Sequence, residues 1–109
     1  MRKAIGITLF LAVTVISCNK GPEACIEMDK TSANVGESIE FRSCSKRALS
    51  YIWTFQGPEG AAVNDTARSE EWFFMEFDTS GSYTVQLQAF KKYSWLGESS
   101  TASANFTIN

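Results

Sequence analysis

The chain has 109 residues, a formal net charge of −2, three cysteines and no histidine. This length suits one small domain, and a mildly acidic chain without a basic stripe argues against nucleic acid as a partner. The lack of histidine excludes His-based catalytic triads, His metal sites and imidazole pH switches. These exclusions favour a binding or structural role.

The first predicted element is a secretory signal peptide. Arg2 and Lys3 precede a short apolar run from Ala4 to Ile16. A basic start followed by such a run is typical of signal peptides, and the run is shorter than the about 20 residues of a transmembrane helix. A buried core helix is the alternative interpretation.

The end of this segment, Val15-Ile16-Ser17-Cys18, resembles the lipobox of bacterial lipoproteins. The resemblance implies that residues 1–17 are removed and that Cys18 carries a diacylglycerol thioether. It also implies a bacterial outer-membrane location, with the protein facing the periplasm or the cell surface. Removing Arg2 and Lys3 changes the net charge from −2 to −4, so the lipid rather than electrostatic attraction would hold the protein at an anionic membrane.

The rest of the chain is predicted to be a tether followed by a β-sandwich. Residues 18–24 contain Gly21-Pro22 and are predicted to be the tether. Residues 25–109 show period-two alternation between turn signals and no convincing helical period. Strands are predicted near residues 26–29, 38–44, 51–55, 72–77, 83–90 and 102–108. Six or seven short strands of this kind favour an all-β sandwich.

Assigning the lipobox cysteine to lipid leaves Cys25 and Cys44 as a pair in an oxidising compartment. An antiparallel hairpin centred on the turn signal at residues 33–36 places them opposite each other, within disulfide reach. The same register predicts an ion pair between Glu27 and Arg42, with mostly apolar residues on the other face. Two unpaired thiols are the alternative.

Three blocks of the sequence resemble the PKD (polycystic kidney disease) domain, an immunoglobulin-like β-sandwich of about seven strands. They are Val35-Gly36-Glu37-Ser38-Ile39-Glu40-Phe41, Ser50-Tyr51-Ile52-Trp53-Thr54-Phe55 and Phe77-Asp78-Thr79-Ser80-Gly81-Ser82-Tyr83-Thr84-Val85-Gln86-Leu87. The resemblance implies a module for protein–protein or protein–carbohydrate contact rather than an enzyme. It also implies that Trp53 fills the space between the sheets and that Tyr83, two residues after Gly81, forms a tyrosine corner.

The chain departs from this family after Phe55, where it reads Gln56-Gly57-Pro58-Glu59-Gly60 in place of Gly-Asp-Gly. Thr54 stands where the family usually has an aspartate. Some members have aspartates near calcium in this region. Because hard cations take six to eight oxygen ligands, Glu59 alone is a poor site, and we expect no metal and no cofactor.

The best candidate binding site is the predicted loop over Lys91–Glu98, which carries Tyr93, Trp95 and Leu96. Loops at the end of a sandwich often bind partners, and Tyr and Trp are favoured anchors for them. The alternative is that Trp95 and Leu96 fold back and cap the core.

A second candidate patch consists of outward-facing aromatic residues on three positions, Trp72, Phe74 and Phe90. Such a patch is a candidate interaction surface. The alternative is that the loop over Gln56–Glu71 covers it.

The sequence contains two further patterns, one for glycosylation and one for catalysis. Asp65-Thr66-Ala67 looks like the short O-glycosylation signal of Bacteroidota, in which Thr66 would carry the glycan; chance occurrence is the alternative. Glu70 and Glu71 point to opposite faces of a strand, and no nucleophile with a base accompanies them.

We therefore predict a non-catalytic, lipid-anchored cell-envelope protein whose domain mediates protein–protein or protein–carbohydrate interaction. Its partners would be the membrane, through the N-terminal lipid, and a protein or glycan. The alternative is an accessory structural subunit of an outer-membrane assembly, which would bind through the Trp72, Phe74 and Phe90 patch.

Overall fold

Seven β-strands form two sheets in the computed structural model, which describes residues 21–58 and 69–109. The strands are β1 (Ile26–Met28), β2 (Ser32–Ala33), β3 (Ile39–Ser43), β4 (Ser50–Gln56), β5 (Trp72–Met75), β6 (Gly81–Lys92) and β7 (Leu96–Ile108). One sheet has the order β1-β3-β5 and the other the order β2-β7-β6-β4. The predicted all-β, immunoglobulin-like sandwich is confirmed. Across these two ranges, no helix has the length and apolar character needed to span a bilayer.

Several predictions concern parts of the chain that lie outside the described residues. They are the signal peptide over residues 1–17, the lipid on Cys18, the first half of the tether, and the glycan on Thr66.

The pairing of β1 with β3 has the predicted register, with Ile26 opposite Ser43 and Met28 opposite Phe41. Cys25 and Cys44 are joined by a disulfide, and their Cα atoms lie 4.8 Å apart. The Cys44 N–H also donates to the Cys25 carbonyl at 3.0 Å. The predicted disulfide is therefore confirmed, on the outward side of the three-stranded sheet.

The predicted plain hairpin between β1 and β3 is wrong. Between them the chain crosses to the other sheet as β2, which pairs in parallel with the end of β7, Ser32 opposite Thr107 and Ala33 opposite Ile108. The crossing buries Ala33 in the core. A turn with Gly36 at φ 84° then returns the chain to β3, a backbone angle that favours glycine.

The predicted ion pair between Glu27 and Arg42 is also wrong. The two residues are opposite each other in the register, but the Arg42 guanidinium pairs with Glu40 on its own strand at 2.8 Å. Residues two apart on a strand share a face, so Glu40 was within reach without any cross-strand contact. Glu27 contributes only a longer-range charge interaction with Arg42.

The core between the sheets is built mainly from aromatic rings. Phe41 is fully buried at its centre. Its ring centroid lies 5.1 to 6.4 Å from those of five others, Trp53, Phe55, Phe73, Phe77 and Phe106. Most of these pairs are edge-to-face, which the ring quadrupoles favour. Trp53 is fully buried, as predicted.

Tyr83 forms the predicted tyrosine corner. Its hydroxyl donates a hydrogen bond to the Thr79 carbonyl at 2.5 Å, and its ring stacks on Phe106 with centroids 5.3 Å apart. Gly81 begins β6 at φ 142°, and a Cβ there would lie 2.5 Å from Cγ of Pro58. Both the backbone angle and the close approach of Pro58 require glycine at this corner.

The tyrosines should make the fold sensitive to alkaline pH. Burial, followed by the charge of Asp78, raises the pKa of Tyr83 above its ordinary 10.0, and burial also raises the pKa of Tyr51. The folded state therefore holds these protons more tightly than the unfolded state does. The resulting stabilisation is complete below about pH 10 and is lost as the pH rises through the folded-state pKa.

We expect Tyr83→Phe to cost about 1 kcal/mol at neutral pH, because the bond to Thr79 is lost. The variant should then lose less stability than the parent at alkaline pH, since one of the titrating groups is gone. Urea unfolding between neutral pH and about pH 11 measures both effects. An equally steep alkaline loss in the variant would show that Tyr83 does not contribute to it; Tyr51→Phe reports the other tyrosine's share.

Candidate binding surfaces

The predicted loop over Lys91–Glu98 is a tight turn at the end of a long hairpin. β6 runs to Lys92 and β7 starts at Leu96, so only a 3₁₀ turn, Tyr93–Trp95, separates them. Gly97, the second residue of β7, has a φ of 80° beside this turn. Ser94 and Trp95 also have positive φ angles of 60° and 59°, which are uncommon for residues with a side chain.

Hydrogen bonds to the start of β4 hold this turn in place. The Ser50 hydroxyl donates to the Lys92 carbonyl at 2.6 Å and accepts from the Trp95 N–H at 3.0 Å. The Trp95 indole N–H donates to the Tyr51 carbonyl at 2.9 Å. The unusual backbone angles are thus stabilised by contacts from a neighbouring strand.

The hairpin tip, defined here as Tyr93, Trp95 and Leu96, is exposed. These side chains are 69%, 50% and 60% accessible to solvent. The alternative in which Trp95 and Leu96 fold back over the core is therefore wrong: the indole lies across the start of β4 instead. The tip presents three apolar side chains on a fixed backbone.

The chain enters the domain beside the hairpin tip. A Cβ on Gly21 would lie 2.8 Å from a carboxylate oxygen of Glu98, two residues beyond Leu96. The Ala24 N–H donates to the Ser100 hydroxyl at 3.1 Å. The described part of the tether, residues 21–24, and the tip therefore lie at the same end of the sandwich.

This end carries most of the positive charge. Four of the six Lys and Arg residues in the described ranges lie here, Lys46, Arg47, Lys91 and Lys92. The Arg47 guanidinium donates to the Gly21 carbonyl at 2.8 Å, and Lys46 pairs through its backbone with Glu23. The Lys91 Nζ lies 3.8 Å from Oε1 of Glu98. With Glu23 and Glu98 as its carboxylates, this end has a surplus of two positive charges.

Trp72 and Phe74 form an aromatic face on the outer side of β5. They are 53% and 56% exposed, and their rings meet edge to face with centroids 5.9 Å apart. Phe90, predicted to share this patch, lies on β6 in the other sheet and has the outward parity there. The prediction of one three-residue patch is wrong, because outward positions of the two sheets point to opposite sides of a sandwich.

Polar side chains of the same sheet adjoin the aromatic face. In the register of β3 with β5, Arg42 is opposite Trp72 and Glu40 is opposite Phe74. Both also line a shallow groove of about 530 Å³ between β1 and β3. Hydrogen bonding to Glu40 and its negative charge raise the pKa of Arg42 above its ordinary value, with smaller effects from Glu27 and Glu71. The face thus combines exposed rings with charged hydrogen-bonding groups.

In the part of the chain that the structure describes, no group of three or more His, Cys, Asp or Glu residues is placed to hold a metal ion. The sequence pointed to the three residues of the tip and to two of the three residues predicted for the aromatic face, Trp72 and Phe74. Sequence reasoning missed the polar groups beside the aromatic face and the position of the tether beside the tip.

Comparisons with known proteins agree with this architecture. The PKD domain family model matches residues 24–104. Among solved structures, the PKD1 domain of the Vibrio cholerae metalloprotease PrtV is similar with a TM-score of 0.62 at 21% identity, covering 83% of this chain and 99% of that one. The PKD1 domain of Vibrio anguillarum Epp is similar with a TM-score of 0.56 at 18% identity, covering 83% and 95%.

A third similar structure comes from a study of the promiscuous specificity of carbohydrate-binding modules of the β-sandwich superfamily. Its TM-score is 0.60 at 16% identity, and the match covers 83% of this chain and 35% of that one. At these identities the solved structures show the shared fold alone. Among curated proteins, none matches the sequence significantly.

Proposed function

The chain belongs to the PKD domain family, and from that premise we propose that it is a non-catalytic, lipid-anchored cell-envelope protein whose sandwich binds a protein or a carbohydrate. Membership of this family supports an interaction or structural role. The fold shared with a β-sandwich from the study of carbohydrate-binding modules supports the carbohydrate branch of the proposal. The lipobox supports the anchor.

The aromatic face is the observation that carries the binding role. Trp72 and Phe74 project from a strand whose intervening residue, Phe73, is buried in the core. Their positions are therefore fixed before any partner arrives, which lowers the entropic cost of binding. Exposed aromatic rings beside hydrogen-bonding groups bind sugar rings and protein anchors alike.

We expect Trp72→Ala/Phe74→Ala to abolish binding to an array of bacterial-envelope and host glycans if the partner is a carbohydrate. If it is a protein, a photo-crosslinking amino acid at Phe74 in living cells should give one discrete product. Val35, which is 47% exposed at the other end of the sandwich from the tip, is the matched control position. Unchanged glycan binding by the double variant, or equal crosslinking from Val35, would contradict the proposal.

The same crosslinking experiment separates binding of a free partner from the alternative, an accessory subunit of an outer-membrane assembly. A product that co-purifies with one membrane complex, and is lost with Phe74→Glu, favours the alternative.

The anchor is tested independently at Cys18. Mass spectrometry of the membrane-extracted protein should find a diacylglycerol-modified N-terminal cysteine, and Cys18→Ser should abolish this modification. An unmodified Cys18 in membrane-associated protein would overturn this part of the proposal.

A further inference from the structure

We propose that the hairpin tip is a membrane-contact surface: Tyr93, Trp95 and Leu96 lie in the lipid interface, and the basic residues around them face anionic headgroups. The inference rests on the proposed anchor, because it follows from where the lipidated cysteine would hold the domain. It assigns a ligand, a phospholipid surface, to side chains that the protein leaves exposed.

The tether is short. Gly21 is three positions after Cys18, and a chain extends by at most about 3.6 Å per residue. The lipidated sulfur therefore belongs to a residue within about 11 Å of Gly21. Gly21 lies against Glu98, and Leu96 is only two residues further along β7. A lipid on Cys18 thus holds the tip end of the sandwich, rather than the opposite end, at the bilayer.

The side chains of the tip suit a membrane interface. Tyrosine and tryptophan are enriched at membrane interfaces, where an apolar ring meets a polar boundary. Leu96 adds an aliphatic side chain that is 60% exposed to solvent. The indole N–H of Trp95 already donates to the Tyr51 carbonyl. Moving this ring out of water therefore leaves no hydrogen-bond donor without a partner.

Charge is distributed unevenly over the domain. Lys46, Arg47, Lys91 and Lys92 surround the tether and the tip, and they outnumber the carboxylates at that end. The rest of the described domain has eight carboxylates and only Lys30 and Arg42 as cations. An acidic domain with one basic end is oriented by an anionic surface, with that end toward the lipid.

The orientation can be read from the protein's own tryptophans. Trp95 and Trp72 are almost equally exposed, at 50% and 53%, whereas Trp53 is fully buried. Trp72 lies about 17 Å from the tip, measured along the direction of the hairpin strands. Its neighbour Phe73 contacts Trp53, and Trp53 pairs with Leu87, which is five residues before Lys92. Only Trp95 should therefore reach brominated lipid.

We would reconstitute the lipidated protein in phosphatidylethanolamine–phosphatidylglycerol vesicles that contain brominated acyl chains and measure tryptophan quenching. Trp95→Phe should remove most of the quenching, and the matched variant Trp72→Phe should retain it. Quenching that survives Trp95→Phe and disappears with Trp72→Phe would show that the aromatic face, rather than the tip, contacts the membrane. No quenching in any of these proteins would show that the tip meets water or another protein. Either outcome overturns the inference.

A second measurement does not depend on the lipid. Residues 18–109 with Cys18→Ser, expressed without the preceding residues, should bind the same vesicles weakly. Tyr93→Ser/Leu96→Ser should reduce that binding about tenfold, and Val35→Ser should not change it. Equal vesicle binding by all three proteins would contradict the role of the tip. Mass spectrometry of Cys18 shows separately whether the protein is lipidated. A missing lipid anchor can therefore be distinguished from a tip that does not bind lipid.

Discussion

Trp53→Ala should destabilise the domain by about 3–5 kcal/mol, enough to unfold a large fraction of a domain whose total stability is of the order of 5–15 kcal/mol. The indole is fully buried and meets Phe73 edge to face, with centroids 5.1 Å apart. Its N–H donates to the Glu70 carbonyl at 2.8 Å. Alanine would remove this bond and leave a cavity that the aromatic neighbours cannot fill without shifting.

Urea unfolding followed by circular dichroism measures the loss. Trp72→Ala is the matched control, because it deletes the same side chain at a position that is 53% exposed. It should cost less than about 1 kcal/mol. A similar loss of stability in the two variants would mean that the burial of Trp53 does not stabilise the fold.

Removing the disulfide should have the second-largest effect on stability. Cys25→Ser/Cys44→Ser opens a bridge between residues 19 positions apart. The chain-entropy model gives a loss of about 3 kcal/mol for a loop of this size, because the unfolded chain regains conformations that the bridge had excluded. In a domain this small, each kcal/mol lowers the melting temperature by roughly 5 °C.

Calorimetry of the double-serine variant measures the shift in melting temperature. Reductant should lower the melting temperature of the parent toward that of the variant and leave the variant unchanged. Thiol titration of denatured, non-reduced parent protein is the direct check. Free thiols at both Cys25 and Cys44 would show that the bridge does not form.

Much of the fold follows from the alternation of side chains along each strand. In β6, Tyr83, Val85, Leu87 and Ala89 are buried and the residues between them are more exposed, because successive side chains of a strand point to opposite faces. The register of β1 with β3 could also be predicted, since a one-residue slip would turn every apolar residue outward. Both features depend on local patterns.

The features that the sequence did not predict depend on contacts between distant residues. β2 has only two residues, and it forms because Ala33 pairs with Ile108, which is distant in the sequence. Arg42 had two carboxylates within reach, and the pattern alone could not choose Glu40 over Glu27. Phe90 has the same parity as Trp72, but only the sheet order shows that they lie on opposite sides.

The candidate surfaces divide in the same way. The position of the turn within Lys91–Glu98 was predictable, but the sequence left open whether Trp95 and Leu96 are exposed or fold back over the core. The place of the tether beside the tip was not predictable. It depends on contacts such as that of Ala24 with Ser100, which are separated by most of the domain and leave no local signal.

The level of Trp72 along the hairpin limits how a partner can approach. With the tip on the bilayer, the aromatic face would stand about 17 Å above the headgroups, and its rings would point sideways, parallel to the membrane plane. A ligand would then reach it by moving laterally, as a neighbouring protein in the same membrane or a polymer lying along the surface does. A large partner that approaches along the membrane normal would instead contact the end of the domain opposite the tip, where Val35 and Asn109 lie.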